Sequence, residues 1–544
     1  MKPFYIHNLL TLYKRVFLCL VFLLSINVQA QNKFQKLYAR KDSTNGASAI
    51  GSVKQLSDGS FILAGDIDYC HNCQFDNLIV KTDANGDTLW TKIMGGTRDD
   101  FSAFVIQLAD GNYLFTGTTQ SFGHQATANI YGAYIYAVKT NTNGDTLWTK
   151  IYGGTNTDNA HNNNISDLQT TLDGGYIILG NSNISPTTAA KYKPILIKCN
   201  ANGDTLWTKM YLPKNKLGKL INLNNIIQTP IDSGYMVVGS LADTSGGIIV
   251  TNVGEDGLVA KLDKWGNVVW SKTYGASGSD LFSGVATCGS GYIVTGNTAS
   301  FRGDDYMYTL KLDSVGDTLW TKIYGPVLHG NYFEKQNDTS FVIFGYASLG
   351  GILAVKINDK GTNTFTQVYN NNGIIGEPNV TNDGGYIIPG RTTDYGSWYG
   401  EGLLIKADGF GNSGCYQGDS TVGTYAAPSS IKIDTINTMH FPISVNSTQT
   451  QITSGVVIGT VCSNVGVEQF ANNTQIKIYP NPAQNKITID ANHVIDVKLF
   501  DVIGNQIIST NQTQVDVSNL TDGVYFVQVK TTQSTSTQKI IVQH

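Results

Sequence analysis

The chain has 544 residues, of which 41% are hydrophobic and only 14% charged, and its net charge is −4. This length exceeds one ordinary hydrophobic core, so two or more domains are expected. The slight negative balance argues against nucleic-acid binding, which needs a basic face.

The N-terminus has the pattern of a secretory signal peptide. Lys14 and Arg15 precede an apolar run at 16–26, and Val28 and Ala30 are small residues at the two positions that a signal peptidase reads. We expect cleavage after Ala30. The apolar run is too short for a stable anchor, and no later segment reaches about 18 apolar residues, so no transmembrane helix is predicted.

A pattern recurs seven times after the signal peptide, with a period of 45 to 63 residues. In each copy an aromatic residue is followed four positions later by Gly, and a Lys is followed five positions later by Gly. The aromatic residues are Phe61, Tyr113, Tyr176, Tyr235, Tyr292, Phe341 and Tyr386. The Lys residues are Lys81, Lys139, Lys198, Lys261, Lys311, Lys356 and Lys406. Nine residues after the Lys stands Trp in the first five copies, then Phe365 and Cys415.

Each copy has the alternation and turn residues of four short strands. In the first copy these strands are predicted near 50–56, 61–64, 78–81 and 88–94, with a tight turn at Asp58-Gly59. Four strands per repeat of this length are typical of a propeller blade. The fold class is therefore predicted to be all-β, with a seven-bladed β-propeller over 31–411.

The seventh copy lacks a fourth strand. Residues 34–38 resemble the fourth strand of the first copy, so we expect them to complete the last blade by pairing near 403–406. This arrangement joins the chain ends and leaves no open sheet edge.

Two recurring features of the repeats have alternative interpretations. The turns such as Asp83 to Asp87 resemble calcium loops, but Met94 stands where such a loop needs Glu, so a hairpin turn is favoured and no metal is predicted. The repeated Lys is expected opposite the Trp of its own hairpin, with its stem over the ring and its ammonium at the turn. That interpretation makes the Lys series structural rather than ligand-binding.

Six cysteines remain after signal-peptide removal. Cys70 and Cys73 fit a local disulfide, free thiols or half of a metal site, and no second CxxC completes a zinc site. Cys415 and Cys462 bracket a segment of different composition and are candidates to close it. The remaining two fall in different repeats, and the sequence does not pair them.

The repeat pattern stops at Gly411. Residues 412–468 are rich in Ser, Thr and Val and are predicted to form a β-rich spacer or small module. From 469 to 544 a second unit is predicted, with about seven strands in an immunoglobulin-like β-sandwich. Its recognisable residues are Tyr479, Pro480, Asn481, Pro482, Gly504, Gly523, Tyr525 and Lys539.

These motifs closely resemble the type A C-terminal sorting domain of the Bacteroidetes type IX secretion system. The resemblance implies entry to the periplasm through the signal peptide and passage across the outer membrane. It implies two partners, the type IX machinery and a sortase-like peptidase, and a protein that is either anchored at the cell surface or released. The N-terminal part loosely resembles bacterial surface β-propeller repeat proteins, a likeness that carries no activity.

No catalytic signature is present: HExxH, GxSxG and the Walker-type phosphate loop are all missing from the sequence. No catalytic residue, metal or cofactor is therefore predicted. The leading hypothesis is a binding or adhesive protein that takes a glycan or protein ligand. The alternatives are a polysaccharide-degrading enzyme on a propeller scaffold and a structural surface protein without a small ligand.

The candidate binding face carries the loops between consecutive copies and the loops between the second and third strands of each copy. Their length varies, with 22 positions from Gly117 to Lys139 but 11 from Gly345 to Lys356, and variable loops on a rigid scaffold concentrate function. The densest aromatic and acidic loop gives the predicted ligand-binding residues Asp394, Tyr395, Trp398, Tyr399 and Glu401. The alternative is that these rings only pack their own loop.

Overall fold

The computed structural model divides the chain into two compact units, Met1–Gly466 and Val467–His544. The structure describes residues 32–39, 47–68, 74–122, 133–153, 163–182, 193–213, 219–243, 254–301, 306–325, 328–347, 350–369, 373–393, 400–414, 417–419, 423–426, 430–432, 436–440, 444–447, 451–453, 457–464, 477–491, 493–501, 506–531 and 535–544. Within these ranges the ordered elements are all strands, and no membrane-spanning helix occurs among them. The predicted all-β class is confirmed.

The described part of the first unit forms seven antiparallel sheets, numbered here in chain order. In each sheet four strands, a to d, lie side by side in sequence order, and d pairs with an additional strand e from the segment after 414. Sheet 1 has Ser48–Gln55, Phe61–Asp68, Phe75–Thr82, Thr88–Gly95 and Gln451–Thr453. Sheet 2 has Asp100–Gln107, Tyr113–Thr119, Tyr134–Thr140, Thr146–Gly153 and Ser444–Ser447. Sheet 3 has Asn163–Thr170, Tyr176–Ser182, Lys193–Cys199, Thr205–Pro213 and Ile436–His440.

The other four sheets repeat this order, with two departures in sheet 7. There strand a is split into two pieces, and strand d comes from the N-terminus of the chain. Sheet 4 has Lys219–Gln228, Tyr235–Asp243, Glu255–Leu262, Val268–Gly275 and Ser430–Lys432. Sheet 5 has Asp280–Cys288, Gly291–Thr298, Tyr306–Leu312, Thr318–Gly325 and Gly423–Ala426. Sheet 6 has Leu328–Asn337, Ser340–Ala347, Ile352–Asn358, Asn363–Tyr369 and Gln417–Asp419. Sheet 7 has Gly373–Ile375 with Asn379–Val380, then Tyr386–Thr392, Glu401–Ala407, Lys33–Ala39 and Val457–Asn464.

The predicted pairing of the N-terminal strand is confirmed. Phe34 lies opposite Lys406 and Tyr38 opposite Gly402 in an antiparallel register. The Phe34 side chain is buried with core residues of both sheet 7 and sheet 1, including Leu404 and Ile50. The N-terminal strand therefore completes sheet 7 and also seals its packing against sheet 1.

The seven sheets pack in a closed cycle. Strand a of each sheet lies across the preceding sheet, and strand a of sheet 1 lies across sheet 7. Consecutive a strands also contact one another all the way around, including those of sheets 7 and 1. The a strands therefore share one side of the arrangement, whereas each d strand pairs outward with a strand e.

The turns between strands c and d are hairpin turns, as predicted. In sheet 1 the Asp83 Oδ1 atom accepts hydrogen bonds of 2.8 Å from the N–H groups of Asn85 and Asp87. Gly86 takes a φ of +76°, which an L side chain rarely adopts. The turn Asp therefore satisfies local backbone donors.

The repeated Trp packs against the c–d turn of the next sheet. A Cβ atom placed on Gly144 would lie only 2.8 Å from the Trp90 ring, so this Gly admits the aromatic residue. Phe34 makes the same contact with Gly86, which extends the series from sheet 7 to sheet 1. At six of the seven contacts between consecutive sheets, a Tyr near the end of strand d donates a hydrogen bond to the carbonyl of the c–d turn Gly in the next sheet. The six residues are Tyr38, Tyr152, Tyr211, Tyr274, Tyr324 and Tyr369.

The repeated Lys behaves only partly as predicted. Lys81 lies directly opposite Trp90, as expected. Its ammonium, however, lies 6.0 Å from the ring of Tyr113 in the next sheet, and Trp148 is instead covered by Lys150 of its own strand at 5.3 Å. The ammonium groups bind the Asp of the a–b turn in four pairs: Lys139–Asp110, Lys198–Asp173, Lys261–Asp232 and Lys406–Asp383. These buried lysines join the two hairpins of one sheet, because each Lys at the end of strand c pairs with the start of strand b, next to the a–b turn.

The described residues of the second unit form seven strands in two antiparallel sheets. The three-stranded sheet has Lys477–Tyr479, Lys486–Asp490 and Gln514–Asp516. The four-stranded sheet has, in spatial order, Gln506–Thr510, Val494–Phe500, Gly523–Thr531 and Thr535–Val542. Side chains from both sheets form one core, which includes Ile487, Leu499 and Val527.

Candidate functional site

The predicted ligand loop lies almost entirely outside the described residues. Asp394, Tyr395, Trp398 and Tyr399 all fall in the range 394–399, which the structure does not describe. Glu401 is described at the first position of strand c of sheet 7, opposite Thr392. Burial raises the pKa of its carboxyl. The loop as a ligand site remains a prediction.

A cluster of charged residues lies on the a strands, at the position that follows a bulge or two residues beyond that position. In sheets 1 to 6 one extra residue interrupts the pairing of strand a with strand b, and in sheet 7 the gap between the two pieces of strand a takes its place. The residue that follows differs in every sheet. In order they are Ser52, Phe104, Asp167, Asn225, Gly284, Tyr332 and Glu377.

Lys54 and Glu377 form the centre of this cluster. The Lys54 Nζ atom lies 3.1 Å from Glu377 Oε1, and the Ser52 hydroxyl donates to Glu377 Oε2 at 2.8 Å. The backbone N–H of Glu377 donates to the Gly51 carbonyl at 2.7 Å. Burial lowers the pKa of Lys54, but the charges of Glu377 and Glu334 raise it above its ordinary value. Sheets 1, 6 and 7 therefore meet through one lysine and two carboxyl groups.

Two further carboxyl groups of the a strands titrate near neutral pH. Burial raises the pKa of Glu334 to about 8, against the opposing effect of Lys54. Burial and the charge of Glu377 raise the pKa of Asp167 to about 7. Asp167 also accepts hydrogen bonds from the Asn225 side chain at 2.7 Å and the Ile226 N–H at 2.8 Å, so it ties sheet 3 to sheet 4.

This cluster can serve two chemical purposes. Carboxyl groups that are neutral near pH 7 are able to donate protons, and such shifted groups concentrate at functional sites. The same groups also bind backbone N–H groups of neighbouring sheets, which is a structural purpose. Sequence analysis missed them because Lys54, Asp167 and Glu334 belong to different repeats. The one available signal was a charged residue within the strand-a segment of its repeat.

The YPNP motif of the second unit lies beside the last strand of the chain. The Asn481 side chain donates to the Lys539 carbonyl at 3.1 Å and accepts from the Ile541 N–H at 2.8 Å. Ala483 makes a parallel bridge to Val542, with its N–H 2.7 Å from the Ile541 carbonyl. The first and last parts of the predicted sorting motif are therefore held together.

The remaining motif residues surround this junction. Tyr525 is buried and donates to the Thr521 carbonyl at 2.8 Å, which fixes the start of its strand. Gly523 lies opposite Val542, and Lys539 is exposed opposite Phe526. Tyr479, half-exposed, precedes two cis peptide bonds, at Pro480 and Pro482. Gly504 lies outside the described residues.

Comparison with known families identifies the second unit. Residues 477–543 match the model of the secretion system C-terminal sorting domain. The predicted recognition of a type IX sorting domain is confirmed. This match supports secretion or a cell-surface location for the protein.

Individual similar proteins are remote. The regulatory protein FlaEY of Caulobacter vibrioides is 23% identical over 321 residues, which cover 50% of this chain and 32% of that protein. The chain therefore spans about a third of the length of that curated relative. A protein of unknown function from Bacteroides caccae has a TM-score of 0.28 at 11% identity, covering 53% of this chain and 93% of its own. The exotype rhamnogalacturonan lyase YesX has a TM-score of 0.31 at 11% identity, with coverages of 69% and 76%. Neither structural likeness is close enough to support a fold or an activity.

Proposed function

We propose that this chain, which carries a type IX sorting domain at 477–543, is a secreted or cell-surface binding protein whose first unit is a seven-bladed β-propeller. The observation that carries the proposal is the sorting domain, with the YPNP motif held against the terminal strand. In this interpretation the second unit is an immunoglobulin-like sandwich that directs export of the first unit across the outer membrane. The signal peptide at 1–30 supplies the earlier step into the periplasm.

Three features support the propeller. The seven sheets pack in a closed cycle, each follows the order a to d, and the N-terminal strand completes the last sheet. A propeller blade is a four-stranded antiparallel sheet, and completing the last blade with a strand from before the first blade links the two ends of the cycle. We take each of the seven sheets as one blade.

Export is tested by removing the sorting domain. A chain that ends at Gly466 should accumulate in the periplasm of the native host, whereas the full chain should reach the surface or the medium. Asn481→Ala offers a finer variant, because it removes both hydrogen bonds that join the YPNP motif to the terminal strand. Normal surface delivery of the truncated chain would overturn the proposal.

The ligand site is proposed on the loops between strands b and c, at Asp394, Tyr395, Trp398, Tyr399 and Glu401. An exposed aromatic ring is able to stack on a sugar face or anchor a peptide, worth on the order of 1 kcal/mol beyond its buried area. On a glycan array, Trp398→Ala should lose binding with little change in melting temperature. Trp265→Ala is the matched control, because Trp265 is 57% exposed in a c–d turn. Equal binding by both variants would remove the loop from the proposal.

The charged a-strand cluster favours a second candidate function, polysaccharide cleavage. Its observation is the group of carboxyl side chains where sheets 1, 6 and 7 meet, with Glu377 held 3.1 Å from Lys54. Burial there raises the pKa of Glu334 to about 8, which would let its carboxyl act as a general acid at neutral pH. A reducing-sugar assay on a panel of polysaccharides tests it. If the wild-type protein releases reducing sugar and Glu334→Gln does not, the enzyme is favoured. If the wild-type protein releases no reducing sugar, the binding protein is favoured.

A further inference from the structure

Strand e covers only the later part of strand d in sheets 1 to 5. There the described e strands pair with strand d from its fifth or sixth residue onward. The e strands come from 412–468, the region predicted to form a spacer or small module, and they are distributed over all seven sheets. The first residues of each of these d strands, next to the c–d turn, lie beyond the described pairings with strand e.

Strand d carries a bulge in this first part. In sheets 1 to 6 the pairing of strands c and d skips one residue, which stands directly before the repeated Trp or, in sheet 6, before Phe365. A bulge leaves the extra residue unpaired and changes the direction of its side chain. In sheets 1 to 5 that residue is apolar and 51 to 63% exposed. The five residues, here called the apolar arc, are Leu89, Leu147, Leu206, Val269 and Leu319.

The apolar arc is repeated for a reason other than core packing. The sequence Thr-Leu-Trp-Thr-Lys recurs at 88–92, 146–150, 205–209 and 318–322. Its Trp packs on the turn Gly of the next sheet, whereas its Leu is more than half exposed. Single exposed apolar residues are ordinary on protein surfaces, but here they follow one another at the same place in five consecutive sheets. Such a series marks a contact surface.

We propose that the apolar arc is the contact surface of a homodimer, in which the arcs of two copies of this chain meet about a two-fold axis. A two-fold axis brings the same surface of both copies together. The arc spreads over five sheets, and a second copy presents apolar side chains at the same spacing. This contact uses neither the proposed ligand loop nor the sorting domain.

The exposed area of the arc suits a weak dimer. Leu and Val residues that are more than half exposed leave on the order of 100 Å² each open to water, or about 500 Å² for the arc. Contact between two arcs would bury about 1,000 Å² in total, the lower limit for a specific protein–protein interface. We therefore expect a dimer that dissociates on dilution, with a Kd on the order of 10 μM.

The charges beside the arc allow two copies to meet. Strand d carries a Lys two residues after its Trp, and in three sheets of the arc this Lys binds an Asp of the next c–d turn. The pairs are Lys92–Asp145 at 3.5 Å, Lys150–Asp204 at 2.9 Å and Lys272–Asp317 at 2.7 Å. In sheet 3 the corresponding Lys209 donates to Asn267 at 3.0 Å. Because these opposite charges are already paired along the arc, two copies are able to meet without placing rows of like charge face to face.

Molecular mass in solution tests the dimer. The full chain, purified without detergent, is measured by sedimentation equilibrium at concentrations well below and well above about 10 μM. The mass should rise from that of one chain to that of two chains over this range. A mass of one chain at every concentration, or a mass of three or more chains, would overturn the homodimer.

Three single variants locate the contact. Leu206→Ser should raise the Kd about tenfold, because the two-fold axis makes each substitution count on both copies. Thr364→Leu should lower the Kd, because Thr364 is exposed and is the extra residue of the same bulge in sheet 6. Ile374→Ser is the matched control and should leave the Kd unchanged. Ile374 is 53% exposed, but it lies opposite the last residues of strand b in sheet 7, away from the turns.

The variants also separate loss of contact from loss of folding. Leu206 is more than half exposed, so dilute Leu206→Ser should melt at the temperature of the dilute wild-type protein. If it melts lower, the Kd of Thr364→Leu decides instead. A dimer that neither variant changes, or that Ile374→Ser weakens equally, would overturn the assignment to the arc. Monomeric protein that binds phosphatidylcholine vesicles, and loses them in Leu206→Ser, would assign the arc to a lipid surface and overturn the homodimer.

Discussion

Strands d and a lie at opposite sides of each sheet, and their sequences vary in opposite ways. Strand d repeats one solution, in which Trp90 and its counterparts pack on the turn Gly of the next sheet. Strand a changes at the position after its bulge, from Ser52 in sheet 1 to Glu377 in sheet 7. Every pair of consecutive sheets needs the same packing contact, so strand d repeats the same residues. Positions at strand a are free to carry individual charges.

The largest expected effect tests the repeated contact at strand d. Trp207 is partly buried, packs against Gly266 and meets the Tyr235 ring edge-on at 6.0 Å. Trp207→Ala should lower the free energy of unfolding by about 3 kcal/mol, because it leaves a cavity between sheets 3 and 4. Urea unfolding measures this as a shift of the midpoint at constant slope. Trp265→Ala, on an exposed ring, should stay within about 0.5 kcal/mol.

A pair of glycine variants separates crowding from backbone strain. Gly203 and Gly174 have φ of +78° and +80°, but a Cβ on Gly203 would lie 2.8 Å from the Trp148 ring, whereas Gly174 has open space. Gly174→Ala should cost about 1 kcal/mol for the left-handed backbone alone. Gly203→Ala should cost about 2 to 3 kcal/mol, since the ring must also move. Equal costs in urea unfolding would mean that the Trp contact is dispensable.

The pH dependence of stability tests the charges of strand a. The pKa of Glu334 rises from 4.5 to about 8 in the folded chain, so the native state keeps a proton that the unfolded state releases. Stability should therefore fall as the pH rises from about 4.5 to 8. The rise of about 3.5 pKa units, at about 1.4 kcal/mol per unit, sets an upper bound of about 5 kcal/mol for this loss. Solvent screening of the partly exposed Glu334 side chain brings the expected loss to on the order of 1.5 kcal/mol.

Glu334→Gln should flatten this pH profile, since the amide stays neutral throughout. Asp338→Asn changes an exposed carboxyl of the same sheet and should leave the slope unchanged. Denaturant midpoints at several pH values give the comparison. A slope that survives in Glu334→Gln would move the effect to another group, with Asp167 the next to test.

The difference between the two strands also explains what the sequence could predict. Recurring residues predicted the four strands of each repeat and the pairing of 34–38. The structure contains these strands and this pairing. The contact of Lys54 with Glu377 joins residues 323 positions apart, and no repeat links them. The seven e strands were missed for a related reason. They add to a free backbone edge, which asks little of their side chains, so residues 412–468 show only weak alternation.

The smallest expected effect concerns one hydroxyl group at strand d. Tyr324 is buried and donates to the Gly361 carbonyl at 2.8 Å, as five other Tyr residues do at their own steps. Sheet 1 has Met94 at this place, so the cycle tolerates one step in which the strand-d residue carries no hydroxyl. Tyr324→Phe keeps the ring and removes only the donor, and should cost about 1 kcal/mol in urea unfolding. Met94→Leu is the matched control and removes no hydrogen bond, so it should cost less. If Tyr324→Phe were neutral, the ring packing alone would join the sheets at this step, and the repeated Tyr would be explained by its shape rather than by its hydroxyl.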